Sequence, residues 1–142
     1  KKIITILGWS FKKNTNDSRE SASIYLSNRL LSNNFSIKIY DPMVSSSRIK
    51  EDIENQMKTA QKDDDEILKY MNRVNICNDV YLAIEESNLV VICTEWDEFI
   101  KLDWNKIYHK METNPWVFDG RNLMDQHKLK KIGFKTFFLG QV

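Results

Sequence analysis

Glycine is scarce in this chain. The 142 residues hold four, at positions 8, 120, 133 and 140. They cannot form the Gly-x-Gly-x-x-Gly turn that lets a backbone approach a pyrophosphate, nor a P-loop. If phosphate is recognised, side chains must do it. Cysteine is scarce too: Cys77 and Cys93 both fall inside apolar stretches, which reads as two buried thiols in a reducing compartment and places the protein in the cytosol. Charge of one sign is missing, with 21 basic against 20 acidic residues and a net charge of +1. That balance argues against a domain that coats nucleic acid or an anionic membrane. No apolar run is long enough to span a bilayer, and the lysine pair followed by five apolar-rich residues is too short for a secretory signal. The acidic run Lys62-Asp63-Asp64-Asp65-Glu66 has neither histidine nor glycine beside it, so a solvated face is expected rather than a metal site. The abrupt entry into a strand suggests a piece of a longer polypeptide.

What is present alternates. Ile3-Ile4-Thr5-Ile6-Leu7 is a short continuous apolar run of the kind buried on both faces of a parallel sheet. Similar runs recur at Ser36–Tyr40, Arg73–Cys77, Leu89–Cys93, Trp116–Phe118 and Thr136–Gly140. Between them lie helical patterns: Ala22, Tyr25, Leu26 and Leu30; Ile49, Ile53 and Met57 behind a serine cap at 45 to 47; Val80 to Glu86 behind Asn78 or Asp79; Trp104, Ile107, Tyr108 and Met111 behind Asp103; and Asp125 to Lys131. The first helix is expected to start at Asp17, with Glu20 three residues on at capping-box spacing. Residues 55–66 are expected as a mobile surface insertion. The alternation predicts an α/β fold, a doubly wound, Rossmann-like, mostly parallel sheet of about six strands in three layers.

In such a sheet a ligand sits beyond the carboxyl ends of the strands, where the strand order reverses. With order 3-2-1-4-5-6, the loops Gly8–Asp17, Thr94–Glu98 and Asp119–Asn122 converge there. They carry Lys12 and Lys13, Arg19 and Arg121, with Phe11 and Trp96 available for ring packing. A cation at Arg19, in the expected first turn of a helix, is disfavoured by the dipole unless it pairs with Asp17 or Glu20 or faces an anion. Arg121 has Asp119 as its ordinary partner. Three cationic positions on one rim nevertheless favour a nucleotide-like anion.

Four segments, in order, carry a resemblance. They are Gly8-Trp9-Ser10-Phe11-Lys12-Lys13-Asn14-Thr15-Asn16-Asp17-Ser18-Arg19-Glu20-Ser21, Tyr40-Asp41-Pro42, Val91-Ile92-Cys93-Thr94-Glu95-Trp96 and Phe118-Asp119-Gly120-Arg121-Asn122. Together they resemble the C-terminal nucleotide-sugar-binding domain of the UDP-glucose 6-dehydrogenases, within the UDP-glucose/GDP-mannose dehydrogenase family. The resemblance implies oxidation of UDP-glucose to UDP-glucuronate in two steps with NAD. It implies UDP-sugar contacts from Phe11, Lys12 and Arg121, and an approach of Arg19 to an NAD held elsewhere. The family's catalytic cysteine and NAD fingerprint lie upstream of this domain, so no catalytic residue is assigned here and the isolated chain is expected to be inactive. Asn122 stands where some members have a second arginine, and nothing is assigned to it. Implied partners are UDP-glucose, the N-terminal NAD-binding and central domains of the same polypeptide, and further copies in a homo-oligomer. Alternatives from the residues are a dehydrogenase domain for GDP-mannose or another UDP-sugar, or a stand-alone Rossmann-like module for regulation or assembly.

Overall fold

A computed structural model describes residues 2–139. Six strands form one sheet: β1 (Ile3–Leu7), β2 (Ser36–Tyr40), β3 (Val74–Ile76), β4 (Leu89–Ile92), β5 (Trp116–Asp119) and β6 (Lys135–Phe138). All neighbours are parallel, in the order β3-β2-β1-β4-β5-β6. That is the expected doubly wound sheet, with its reversal between β1 and β4.

Parallel strands need crossovers, and here the crossovers are helices. Helices α1 (Ala22–Ser32), α2 (Ser46–Thr59) and α3 (Asp64–Met71) link β1 to β2 and β2 to β3. They close one core with Ile6, Ile37 and Ile39 beneath Leu31, Ile53 and Met57. Helices α4 (Val80–Ile84), α5 (Asp97–Ile100), α6 (Trp104–Lys110) and α7 (Gln126–Ile132) return on the other face. They close a second core, with Val90, Ile92 and Val117 beneath Ile84, Phe99 and Ile107. Burying each of these side chains contributes roughly 1.5–3 kcal/mol, so the two layers hold the sheet from both sides.

Among the described residues, one face of β5 and β6 is left without a covering helix. No crossover passes over β5 and β6 on the α1–α3 side, because the chain moves outward from β4 on the opposite face. Trp116 and Phe137 are 43% and 53% exposed there. With Ile4, Leu89 and Phe118 they border an apolar groove of 660 Å³.

Two expectations need correction. Residues 55–66, expected as a mobile surface insertion, have regular structure: α2 continues to Thr59 and α3 begins at Asp64. Asp63 accepts from the Glu66 N–H at 2.9 Å while Glu66 accepts from the Asp63 N–H at 3.2 Å, a full capping box. The acidic run thus lies at the positive end of the α3 dipole, where it belongs physically. Conversely, α1 does not start at Asp17. It starts at Ala22 with Ser21 as its cap, because Glu20 has a φ of 59°, a left-handed conformation no right-handed helix can include.

Candidate functional site

The loop from Gly8 to Ser21 leaves the centre of the sheet and is pinned at its base. Gly8 adopts a φ of 98°, and a Cβ there would fall on the Thr94 side chain and come within 2.6 Å of the Thr94 backbone nitrogen. Only glycine lets the β1 and β4 ends lie this close. Trp9 then turns inward and is wholly buried. Its backbone N–H donates to Asp41 Oδ2 at 2.6 Å and its indole Nε1–H to Asp52 Oδ2 at 2.9 Å. Ser10 N–H donates to the same Asp41 oxygen at 3.1 Å, and Thr94 Oγ1 donates to the Ser10 carbonyl at 2.7 Å. Beyond this anchored base, the Phe11 N–H reaches the Asp17 carbonyl at 2.9 Å, so residues 11–17 form a closed loop on the rim.

On that rim the Phe11 ring is 40% exposed, with Lys12 Nζ 5.4 Å from its centroid. Lys13 Nζ lies 3.8 Å from Asp97, an open pair. Across the β4 end, Arg121 Nη2 donates to Glu95 Oε2 at 3.0 Å, and the Arg121 backbone N–H is held by Asp119 Oδ1 at 3.0 Å. Asp119, fully buried, also accepts from the Met124 N–H at 2.7 Å, so it shapes the loop that presents Arg121 rather than pairing with its guanidinium. Partial burial pushes the Glu95 carboxyl up. Its own backbone N–H and the Arg121 guanidinium outweigh that and leave it below its ordinary value.

Phe11, Lys12 and Arg121 therefore stand on adjoining loops joined through Thr94 and Glu95. Arg19 stands apart. It borders a groove of 480 Å³ with Asn16, Asp17, Ser45 and Arg48, next to the start of α2. Its Nη2 donates to Asp17 Oδ2 at 2.8 Å, and Asp17 Oδ1 accepts from both its backbone N–H and its Nε at 3.0 Å. The Arg19 hydrogen bond holds the Asp17 carboxyl down at about 2. Arg19 is not in the first turn of α1, so its supposed conflict with the helix dipole disappears and the pairing with Asp17 accounts for it.

Trp96 is a second correction. It does not present its ring for ligand packing: it is 8% exposed and its Nε1–H donates to Asp41 Oδ2 at 3.1 Å. Cys77 and Cys93 lie just past strand ends, half-buried and unpaired. Burial pushes the Cys93 thiol up to about 11 and raises Cys77 as well, so neither offers a thiolate nucleophile near neutral pH.

Two residues that hold the site, Asp41 and Asp52, are given no such role by the sequence reading. Asp41 belongs to the Tyr40-Asp41-Pro42 segment of the resemblance, but its part in holding the loops shows only in the structure. Asp52 sits one position before Ile53 on the buried stripe of α2, where an acid among isoleucines is itself a signal. Its carboxylate accepts from the Trp9 indole and from Ser18 Oγ at 2.6 Å, tying the loop to the helix in two places, and forms an ion pair with Arg48, whose Nε lies 3.0 Å away.

Residues 5–126 match the model of the UDP-glucose/GDP-mannose dehydrogenase family, UDP binding domain. A UDP-glucose 6-dehydrogenase of Drosophila melanogaster is 39% identical over 140 residues, covering 99% of this chain and 28% of the relative. UDP-glucose 6-dehydrogenase 4 of Arabidopsis thaliana is 38% identical over 145 residues, covering 99% and 30%. The chain thus spans less than a third of the length of these relatives. Among solved structures, an NDP-N-acetyl-D-galactosaminuronic acid dehydrogenase from Methanosarcina mazei Go1 superimposes with a TM-score of 0.72 at 21% identity, over 99% of this chain and 25% of the other. A UDP-glucose dehydrogenase from Pyrobaculum islandicum gives 0.61 at 21%, over 96% and 24%. At that identity the likeness establishes the shared fold.

Proposed function

The chain belongs to the UDP-glucose/GDP-mannose dehydrogenase family, as its UDP-binding domain, and we propose that it serves an NAD-dependent UDP-glucose 6-dehydrogenase as the C-terminal domain that holds the nucleotide sugar. The observation that carries this is the rim itself. Two exposed cations, Lys12 and Arg121, and an exposed ring, Phe11, stand on adjoining loops at the strand-order reversal, on a base fixed by buried hydrogen bonds. Lysine and arginine suit the oxygens of a diphosphate, and a ring face suits a flat base. UDP-glucose is favoured over other nucleotide sugars by the family resemblance of the motifs and by relatives named UDP-glucose 6-dehydrogenase at 39% identity.

In this reading the full enzyme would oxidise the C6 hydroxyl of UDP-glucose to the acid, two NAD supplying the hydride acceptors and one water the second acid oxygen. This chain's residues bind and orient. Lys12 and Arg121 neutralise the diphosphate, and Phe11 packs on the nucleotide. The turn after β1 carries no Gly-x-Gly-x-x-Gly pattern, so in this reading the NAD is held by another part of the enzyme. This domain offers a contact. The Arg19 side chain is 78% exposed, so its guanidinium can meet an anionic group of an NAD held by another domain. A cytosolic location, in line with the two free cysteines, and a homo-oligomeric state belong to the same proposal.

Calorimetric titration of UDP into the 142-residue chain tests the binding role. Lys12→Ala and Arg121→Ala should each weaken binding by roughly 10- to 100-fold, the loss of one charge-assisted hydrogen bond. Wild-type affinity in both variants refutes the assignment. NADH production by the chain alone from UDP-glucose and NAD would refute the division of labour.

A further inference from the structure

Asp41 gathers three loops onto one carboxylate. Oδ2 accepts from the Trp9 N–H at 2.6 Å, the Ser10 N–H at 3.1 Å and the Trp96 indole Nε1–H at 3.1 Å. Oδ1 accepts from the Met43 and Val44 N–H groups at 2.8 and 2.9 Å. The side chain is 8% exposed and the Trp9 and Trp96 rings beside it are buried. Four of its five donors are backbone amides, which cannot turn to another acceptor without moving the chain. A carboxylate buried among such donors fixes the positions of all of them.

The two arms reach the two cationic sites. Ser10 N–H lies one residue before Phe11 and two before Lys12, and Ser10 Oγ donates to the Lys12 carbonyl at 2.8 Å. Trp96 follows Glu95, whose carboxylate orients Arg121. The Trp96 N–H donates to the Thr94 carbonyl at 3.0 Å, and Thr94 Oγ1 closes the circuit on Ser10. We propose that Asp41 is the positioning residue of the UDP site, setting Phe11–Lys12 through Trp9 and Ser10 and Arg121 through Trp96 and Glu95. This rests on the reading of Lys12 and Arg121 as UDP contacts. Asp41 itself faces the protein and touches no ligand.

Asp41→Asn keeps the size and one acceptor oxygen but sets an NH2 against N–H donors. Two measurements decide. In the ligand-free chain, NMR amide exchange at Trp9 and Ser10 should accelerate at least about tenfold, as local opening replaces the bonds, while Ile6 and Val91 in the strands keep their rates. In calorimetry, Asp41→Asn should weaken UDP about tenfold in the wild-type background and less than about threefold in the Lys12→Ala background, the non-additivity expected when one residue acts through another. Should Asp41→Asn fail to fold, Trp96→Phe removes one donor and leaves the carboxylate. Its effect on UDP should then vanish in the Arg121→Ala background. Unchanged exchange at Trp9 and Ser10, or a full tenfold loss that persists without Lys12, overturns the proposal. If Lys12→Ala binds UDP like wild type, the site reading falls instead, and amide exchange still decides whether Asp41 places the loop.

Discussion

Replacing Asp52 by alanine should unfold this domain more readily than the loss of an ordinary helix-surface acid. The carboxylate lies on the buried face of α2, 8% exposed, accepts from Trp9 Nε1–H and Ser18 Oγ–H, and forms an ion pair with Arg48. Alanine leaves the indole N–H of a wholly buried tryptophan and the hydroxyl of a nearly buried serine without that acceptor, at about 1–3 kcal/mol each. Arg48 loses its close partner but is itself 45% exposed, so solvent repays most of that loss. The expected cost is about 3–5 kcal/mol, a melting-point fall of roughly 10–20 °C for a domain of this size. Asp52→Asn, which keeps one acceptor oxygen, should cost about 1–2 kcal/mol. Urea denaturation with an unchanged m-value is the assay. Trp9→Phe in the Asp52→Ala background separates the mechanism: with no indole N–H to strand, the two substitutions should couple by about 1 kcal/mol or more. A cost below about 1 kcal/mol for Asp52→Ala, or strict additivity with Trp9→Phe, refutes the claim that this buried network holds the loop.

Three other outcomes follow from single features. Gly8→Ala should cost about 3 kcal/mol or more, summing a left-handed backbone penalty with a collision against Thr94, read by thermal melting. A near-neutral Gly8→Ala would show that the β1 and β4 ends can part easily. Cys93 has a folded value raised to about 11 from an ordinary 9.0, so the unfolded chain ionises first and stability should fall as pH rises from about 9 to about 11. Cys93→Ser should flatten that part of the pH–stability curve, and an unchanged slope contradicts it. Asp17 has a folded value lowered from 3.8 to about 2, so its pairing with Arg19 should be complete above about 4 and lost only as pH falls through about 2. An NMR titration midpoint near 3.8 for the Asp17 carboxyl would mean the pair is open in solution.

The frame of the molecule was legible because it rests on periodicity. Continuous apolar runs marked buried parallel strands, and Asp79, Asp103 and Asp125 marked helix starts that the structure uses as N-caps. Local signals were ambiguous where long-range contacts choose between them. The spacing Asp-x-x-Glu occurs at Asp17…Glu20 and at Asp63…Glu66. Only the second is a capping box, followed at once by the apolar face of α3 at Ile67. At the first, Asp17 turns to Arg19, its carbonyl closes the loop on Phe11, and Glu20 takes a left-handed turn. Nothing within a few residues of Asp17 dictates that outcome. The contacts that do, from Asp41 and Asp52, come from 31 or more residues further along the chain. For the same reason the two tryptophans of the motif segments could not be sorted by inspection. Trp9 and Trp96 serve the buried anchors, while Phe11 stays on the rim.

The lack of glycine and the use of cationic side chains are two sides of one geometry. A glycine-rich turn binds pyrophosphate by letting its backbone N–H groups face the ligand. After β1 these donors already have partners inside the protein: Gly8 N–H on the Tyr40 carbonyl, and Trp9 and Ser10 N–H on Asp41. The N–H groups of residues 8–10 are thus committed to acceptors inside the protein, and in the proposed reading phosphate recognition falls to the side chains of Lys12 and, across the β4 end, Arg121. Arg121 is held by Glu95 in a partly exposed pair, which costs little to reorganise when a diphosphate offers more oxygens. Among the described residues Lys12 is not within ion-pair distance of any carboxylate and rests near the Phe11 ring instead. An anion that meets Lys12 therefore has no salt bridge to displace there. In the proposed reading the rigid base and the exposed cations are complementary: a fixed backbone holds the two loops in place while the long side chains of Lys12 and Arg121 rearrange around one ligand.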